Sequence, residues 1–385
     1  MLEAAINRAI SSDYVFAKFL APNDTGLTGG HQCGIYIHKQ NVPLIFEKTF
    51  ERGENKERSA RIIWNEGAWD YVSNFKYYGQ GTRDEYRITS FGRGFPFLKH
   101  DNTGDLIVIC TSKSREQYYA YILSDDDSIN SFLDTFSISP TELNSLVKHP
   151  EQDRLTEEGI IENYVMDFGD DFPSTRIMSV SAEEIDRIIN GDPLDFTADE
   201  TILRWVDTEY KLFRKVEEVH YSYVTLRPAN SIDEYVQGGL EITNRRKARA
   251  GKSLEHHLAS MLKLRGISFS AQAKTEGVKR PDFIFPSEAA YHDDSFPDDR
   301  LIFLGAKTTC KDRWRQIINE ADRIPTKHLF TLQQGVSPNQ LNEMHEAGVV
   351  LVVPEAYHCF YPKTDYKSVI SLEEFITLVK TSQQR

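Results

Sequence analysis

Two short runs of β-branched and aromatic residues, at 282–285 and 301–304, constrain the fold of this chain more than any other stretch. A polar connection rich in aspartate separates them, which is the pattern of two neighbouring strands. From about residue 312, apolar side chains recur at the spacing of an amphipathic helix. The sequence therefore predicts two strands and a packed helix that bring distant residues to one point.

Three charged residues of this stretch have the chemistry that metal-dependent phosphodiester cleavage requires. Asp282 opens the first run, Lys307 follows the second, and Glu320 lies on the predicted helix. A divalent cation held by carboxylates neutralises the phosphate and activates water, while a lysine stabilises charge in the transition state. Many nucleases carry the second carboxylate two residues before the lysine, where this chain has Gly305. We therefore predict that Asp282 and Glu320 bind the metal.

The alternative interpretation of these three residues is structural. An aspartate after a proline is commonly a turn residue, and lysine and glutamate are commonly only solvated. The combination of all three, with a glycine where the usual acid stands, favours the nuclease interpretation.

Two further clusters beside this stretch carry DNA-binding chemistry. Residues 244–252 form the densest basic run of the chain. Such a run is either a solvated helix end or a phosphate contact, and beside a nuclease core we predict phosphate contact. Its arginines are Arg245, Arg246 and Arg249. Ser253 is predicted to cap the helix that follows, which carries Glu255 away from its buried stripe.

The triplet Lys311, Asp312 and Arg313 is suited to reading bases, and it lies at the start of the predicted helix that carries Glu320. Lysine and arginine donate to guanine, and aspartate accepts from cytosine, so the triplet fits C·G pairs.

Residues 1–150 read as a separate β-rich domain, because short β-branched and aromatic runs alternate there with turn residues. A small β-barrel-like closure is expected for so many short strands. Arg83, Glu85 and Arg87 share one strand face, which is either a charge-paired exposed strand or a surface that reads G·C pairs. A glycine-rich loop that contains His31, followed by Tyr36, is a second candidate for contact with base edges.

Composition limits the class of protein. A chain of 385 residues is expected to hold two domains, and the acidic stretch 151–178 is the predicted linker before an α/β domain at 179–385. The sequence contains no apolar run long enough to predict a membrane span. The four cysteines lie far apart, without the spacing of metal ligands. We therefore predict reduced thiols that serve as packing residues in a cytoplasmic protein, and no zinc site. The net charge of −13 argues against nonspecific DNA coating but allows a basic cleft.

Several blocks of the sequence resemble the EcoRII family of restriction endonucleases. GKSLEHHL, TEGVKRPDFIFPS, LGAKTTCKDRWRQIINEADRIP and GVVLVVP are similar to its catalytic domain, and NDTGLTGGHQCGIYI and TRDEYRITSFGRG to its effector-DNA-binding domain. The resemblance implies a C-terminal α/β domain of the PD-(D/E)xK type, in which the second acid has migrated to a helix, and an N-terminal pseudobarrel. It implies Mg²⁺ as cofactor, double-stranded DNA as partner and a homodimer as the assembly.

The resemblance also implies roles for individual residues. Asp282, Lys307 and Glu320 would be catalytic with Glu255 as auxiliary carboxylate, the triplet 311–313 would read the C·G pairs of CC…GG, and His31, Tyr36, Arg83, Glu85 and Arg87 would contact effector DNA. The implied activity is that of a type II enzyme that cuts a CCWGG-like or CCNGG-like site and is inhibited by its own N-terminal domain until effector DNA binds. Two alternatives stay open from the residues alone: a DNA-binding regulator with an inactive nuclease core, and a repair or nicking nuclease.

Overall fold

The fold comes from a computed structural model that describes residues 1–27, 34–148, 157–169, 172–222, 224, 229, 231–363 and 368–384. The helices are α1 (Leu2–Ser11), α2 (Asp126–Phe136), α3 (Glu157–Phe168), α4 (Thr175–Asn190), α5 (Ala198–His220), α6 (Ile232–Leu264), α7 (Glu288–His292), α8 (Pro338–Glu346) and α9 (Leu372–Gln384). The strands are β1 (Tyr14–Phe19), β2 (Ile35–Ile37), β3 (Lys56–Trp64), β4 (Trp69–Tyr78), β5 (Glu85–Thr89), β6 (Leu106–Thr111), β7 (Gln117–Leu123), β8 (Ser145–Lys148), β9 (Ser270–Ala271), β10 (Phe283–Phe285), β11 (Ile302–Lys307), β12 (Lys327–Thr331), β13 (Val349–Val352) and β14 (Val369–Ile370).

The N-terminal strands form one eight-stranded sheet in the order β2-β5-β4-β3-β7-β6-β1-β8. Neighbours are antiparallel except β3 and β7, which are parallel. Strand β6 is buried along its whole length. Its alternate residues Ile107 and Ile109 enter an aromatic core with Trp64, while Val108 packs with α1 and α2. The β-rich prediction for this region is confirmed, whereas the strand order gives no hydrogen-bonded closure between β2 and β8 among the described residues.

The C-terminal sheet has six strands in the order β14-β13-β12-β11-β10-β9. Strands β11 to β14 run parallel, and β10 is antiparallel to both β9 and β11. Helices α5, α6, α8 and α9 contribute buried apolar residues to the same core cluster as these strands. The prediction of an α/β domain is confirmed, and helix α6 and strands β9–β11 meet at the edge where the charged residues lie.

Several expectations about local structure are wrong in ways that matter for the site. The helix predicted from residue 312 to 321 is a short 3-10 helix, Arg313–Ile317, and Ala321 has a left-handed φ of 51°. Trp314, Ile317 and Ala321 are still buried, since a tighter turn satisfies nearly the same apolar spacing. Glu320 therefore lies on a turn.

Ser253 does not begin a helix. It lies inside α6, a continuous helix of 33 residues whose N-cap is Ser231. Part of the predicted linker is helix α3, and Cys359 is exposed, while Cys110 and Cys310 are buried as expected.

A buried polar cluster joins α4, α5 and α6. The Glu209 carboxylate accepts a hydrogen bond from Ser179 Oγ at 2.6 Å and lies 2.8 Å from His257 Nε2. His257 Nδ1 is 3.0 Å from Glu183 Oε1, and the Arg249 guanidinium is 3.7 Å from Glu209. Glu209 and His257 are fully buried, so each depends on the other for compensation of its charge.

These contacts make the stability of the helical layer depend on pH. Burial alone would lower the pKa of His257, but the two glutamates raise it to about 9. Burial would raise the pKa of Glu209, but His257, Arg249 and Ser179 lower it to about 2. Relative to the unfolded chain, His257 then stabilises the fold fully below its ordinary pKa of about 6.5, and this contribution is lost as pH rises through about 9. The contribution of Glu209 is present above its ordinary range and is lost in acid.

We predict that His257→Gln lowers the free energy of unfolding at pH 6 by about 3–5 kcal/mol, because it removes the nearer of the two cations, His257 and Arg249, that compensate the buried Glu209 carboxylate. The wild-type protein should lose stability between pH 6.5 and 9, and this slope should be reduced in the variant. Urea unfolding at pH 6 and pH 9 measures both effects, with His345→Gln on an exposed helix position as control. Equal slopes in wild type and His257→Gln would contradict the charge assigned to His257.

Candidate active site and its cover

The pairing of β10 with β11 brings Asp282 next to Lys307. Phe283 pairs with Leu304, so Asp282, directly before β10, faces the end of β11. The amide nitrogen of Ala306 donates to Asp282 Oδ2 at 2.8 Å, and Lys307 Nζ lies 3.5 Å from the same oxygen. Backbone pairing therefore fixes the aspartate and lysine that the sequence predicted as partners.

Helix α6 brings Glu255 to the same point. A glutamine that the sequence analysis did not single out, Gln272, connects it to Asp282: its Nε2 donates to Glu255 Oε2 at 3.1 Å and to Asp282 Oδ1 at 3.0 Å. No sequence pattern marks Gln272, because the contact depends on where α6 passes the end of β9.

Glu320 belongs to the same electrostatic cluster. Burial, and then the charge of Asp282, raises the pKa of both Glu255 and Glu320, while Lys307 opposes the shift in each. Three carboxyl groups thus lie around Lys307, while Lys252, Lys279 and Lys327 act on Glu255 or Glu320 more weakly. A half-buried group of carboxylates is a donor set that suits a divalent cation.

The position of the usual second acid has little room for a side chain. A Cβ on Gly305 would lie 3.1 Å from Ile317 Cγ2 and close to Phe303 and Leu329. An acid there would face apolar groups, which is costly for a carboxylate. Glu320, three residues after Ile317, instead approaches from the turn that follows the 3-10 helix.

The carboxylates are near one another but are not a finished metal cage. Within the described ranges, no three carboxylate, histidine or cysteine groups are already clustered as a metal site. Mg²⁺ commonly keeps several waters and binds through one or two carboxylates plus substrate phosphates, so this donor set fits it.

Acidic residues of the N-terminal region cover the triplet 311–313, which the sequence predicts to read bases. Lys311 is 3% exposed and forms an ion pair with Asp105. Asp126, at the start of α2, accepts hydrogen bonds from the amide nitrogens of Asp312 at 2.6 Å and Arg313 at 2.9 Å. The sequence signal for this cover was the acidic run at 125–127, whose partner could not be inferred.

Other contacts extend this interface. Arg313 pairs with Asp127 at 2.9 Å, and Asn130 donates to Thr309 Oγ1 at 2.7 Å. A Cβ on Gly104 would lie 2.2 Å from the carbonyl oxygen of Gly335, so the two backbones touch. The triplet 311–313 therefore lies under α2 and the turn at Gly104.

The arginines of the basic run contact their own protein. Arg245 donates to the Tyr221 hydroxyl at 2.8 Å, and Arg246 binds Glu217 at 2.7 Å and the carbonyl of Thr135. Arg249 is buried beside Glu209 and stacks on aromatic rings. Its predicted phosphate contact is not possible in this conformation, because the guanidinium cannot reach solvent.

Three predicted effector-site residues come together on the first sheet. Tyr36 on β2 pairs with Arg87 on β5, and Arg87 lies 3.2 Å from Glu85. Burial, followed by the charge of Glu85, raises the pKa of Tyr36. Arg83 precedes β5 and lies over the Tyr78 ring, 5.7 Å from its centroid. His31 lies outside the described residues.

A buried ion pair supports this face, and sequence reasoning missed it. Lys18 on β1 lies 2.7 Å from Asp24 and donates to the carbonyl of Tyr36 at 3.2 Å. Asp24 in turn accepts from the amide of Tyr36 at 3.0 Å.

Among the described helices, none has the length and apolar character needed to cross a membrane.

Comparison with known proteins gives matches along most of the chain. A family model described as EcoRII C terminal matches residues 213–376, and one described as restriction endonuclease EcoRII, N-terminal, matches residues 9–153. The chain is 36% identical over 392 aligned residues to the type II restriction enzyme EcoRII of Escherichia coli, covering 96% of this chain and 94% of the relative.

More distant similarities are shorter. The type II restriction enzyme SsoII of Shigella sonnei is 29% identical over 123 residues, which are 29% of this chain and 39% of that protein. The solved structure of metal-depleted Ecl18kI with uncleaved DNA is 19% identical, covers 60% of this chain and 86% of its own, and has a TM-score of 0.46. On the strength of the two family models and the E. coli relative, the chain belongs to the EcoRII family of restriction endonucleases.

Proposed function

We propose that this protein is a Mg²⁺-dependent type II restriction endonuclease that cuts both strands of DNA at a short, near-palindromic CC…GG site. The observation that carries the proposal is the cluster of Asp282, Lys307, Glu255 and Glu320 next to a base-reading triplet covered by acidic side chains. Membership of a restriction endonuclease family supports the class of reaction.

The chain's own residues account for the positioning of the reaction. When bound, Mg²⁺ would supply Lewis-acid activation of the phosphate and of the attacking water. Asp282 and Glu320 would hold it, and Asp282 is oriented for this by the amide of Ala306. Lys307 projects its ammonium group to the same place and can donate to a phosphate oxygen as negative charge develops. Glu255, whose pKa is raised by burial and by the charge of Asp282, can accept a proton from the attacking water.

We predict that Asp282→Ala lowers the rate of DNA cleavage by at least about 10²-fold, because it removes a metal-binding carboxylate and the partner of Lys307. Digestion of a sequenced plasmid with Mg²⁺, followed by sequencing of the ends, measures the rate and the site together. Asp70→Ala, on the surface of the first sheet, is the matched control. Binding without cleavage in the wild type would favour a regulator, and single-strand nicks would favour a repair nuclease.

The triplet at 311–313 would read the C·G pairs, but the cover occupies its hydrogen-bonding groups. Asp105, Asp126 and Asp127 supply carboxylate oxygens where DNA would supply base and phosphate acceptors. Target DNA and the N-terminal region therefore compete for the same donors. Effector DNA bound on the face with Tyr36, Glu85 and Arg87 would relieve this inhibition by favouring a separated arrangement.

We predict that Asp126→Ala raises the cleavage rate of a one-site DNA by at least about 10-fold, since charge-assisted hydrogen bonds contribute about 1.5–3 kcal/mol each. In the wild type, a short duplex that carries a second site should give a similar increase, and it should add little to the variant. Single-turnover rates with and without the duplex measure both effects. The idea fails if the wild type cuts one isolated site as fast as two, or if Asp126→Ala stays as slow as Asp70→Ala.

A homodimer would place two active sites on the two strands of a near-palindromic target. The first half of α6 carries an apolar stripe that nothing in the described chain covers: Ile232, Val236 and Leu240 follow one another at helical spacing and are 82%, 49% and 51% exposed. Tyr235, beside them, is 63% exposed. Such a stripe on a surface helix is typical of an interface, and we assign it to the dimer.

We predict that Leu240→Asp shifts the protein from a dimer to a monomer, because a carboxylate in an apolar interface loses its hydration. Sedimentation velocity should give twice the chain mass of 44.2 kDa for the wild type and a single chain mass for the variant. Ile10→Asp, at an exposed apolar position of α1, is the control. A wild-type monomer at micromolar concentration, with or without DNA, would contradict the assignment.

A further inference from the structure

We propose that Gln272 is a positioning residue of the active site, whose side-chain amide holds the carboxylates of Glu255 and Asp282 together in the arrangement that receives the divalent cation. This inference rests on the proposed metal-dependent function and adds to it a residue that acts through the carboxylates and does not itself ligate the metal.

The hydrogen bonds of Gln272 are the first argument. One amide nitrogen has two N–H groups, and Nε2 of Gln272 donates to both Glu255 Oε2 and Asp282 Oδ1, at 3.1 and 3.0 Å. The two acids come from different elements, helix α6 and the start of β10, and like charges this close repel each other. A shared donor offsets that repulsion and fixes the distance between them.

The position of Asp282 is the second argument. Its Oδ2 accepts from the amide of Ala306, and its Oδ1 accepts from Gln272. Both oxygens are therefore oriented by the protein, while each carboxylate oxygen has a second lone pair for a cation. Partners that orient metal-binding carboxylates in this way commonly change metal affinity about 10–100-fold when they are removed.

The backbone of Gln272 is the third argument. Its φ of 51° is left-handed, which costs energy for a residue with a side chain. The conformation is held by a hydrogen bond from its amide nitrogen to the carbonyl of Asp282 at 3.0 Å. Backbone and side chain of one exposed residue thus both bind Asp282, and the strained conformation aims the amide at the two acids.

The neutrality of the amide also matters. A lysine or arginine in this place would bind both carboxylates more strongly, but it would cancel the negative charge that attracts Mg²⁺. Glutamine holds the acids together and leaves their charge intact. The opposite possibility, that the amide occupies the place of the cation and must be displaced, predicts the reverse effect of removing it.

The test is a Mn²⁺ titration of the full-length protein, without DNA, in which free Mn²⁺ is followed by its electron paramagnetic resonance signal. We expect Gln272→Met, which keeps the length of the side chain but cannot donate, to weaken Mn²⁺ binding about 10-fold. Gln272→Asn keeps a donor on a backbone conformation that asparagine tolerates. The affinity of this variant for Mn²⁺ should lie between those of the wild type and Gln272→Met. Gln117→Met, which removes a glutamine hydrogen bond to Tyr119 on the first sheet, is the control.

A second readout separates positioning from a general loss of structure. In cleavage assays, Gln272→Met should raise the Mn²⁺ concentration that gives half the maximal rate, while the rate at saturating Mn²⁺ stays within about twofold and the melting temperature of the metal-free protein falls no further than that of Gln117→Met. Unchanged or tighter Mn²⁺ binding by Gln272→Met overturns the inference, as does a variant whose only defect is a lower melting temperature.

Asp282→Ala distinguishes this inference from the proposed function. If Asp282→Ala binds Mn²⁺ as well as the wild type does, the proposed metal site itself is wrong. If Asp282→Ala loses Mn²⁺ and Gln272→Met retains full affinity, the metal site stands and only the role of Gln272 is wrong.

Discussion

The Asp282 carboxylate is the group on which the geometry of the candidate active site depends. Its Oδ2 accepts from the amide of Ala306 because β10 and β11 pair in one register, and Lys307 reaches it from the same strand. A shift of that register by one residue would turn Asp282 to the other face of the sheet. The apolar residues of β10, all buried, therefore fix the chemistry as well as the core.

The charged cluster around Asp282 and the contacts that cover the triplet 311–313 are held by separate sets of interactions. The charged cluster is held by strand pairing within the C-terminal region, whereas the triplet 311–313 is held by carboxylates of Asp105 and Asp126 from the other region. The side chains that form the charged cluster are therefore different from those that cover the triplet. On the proposed mechanism, uncovering the triplet leaves Asp282 and Lys307 in place, so regulation can act on access to DNA without rebuilding the catalytic group.

Sequence reasoning succeeded where the chemistry and the local pattern agreed, and failed where a contact depends on tertiary placement. Asp282 and Lys307 flank short apolar runs, and two such runs pair in a predictable way. The helix predicted to carry Glu320 is a short 3-10 helix that ends at Ile317. The prediction failed because apolar spacing does not distinguish an α-helix from a 3-10 helix over so short a stretch. Gln272 and Asp126 meet partners far away in the chain, and no local signal in a single sequence identifies such partners.

The contact between Gly104 and Gly335 has a consequence for the proposed response to effector DNA. The backbones of Gly104 and Gly335 are already in contact, so the interface between the two regions has no room for small adjustments. Packed interfaces of this kind change between discrete arrangements instead of deforming continuously. On the proposed mechanism, each molecule is then either inhibited or active. Increasing amounts of effector DNA would enlarge the fraction of active molecules, so a half-maximal response describes a mixed population of fully inhibited and fully active enzymes.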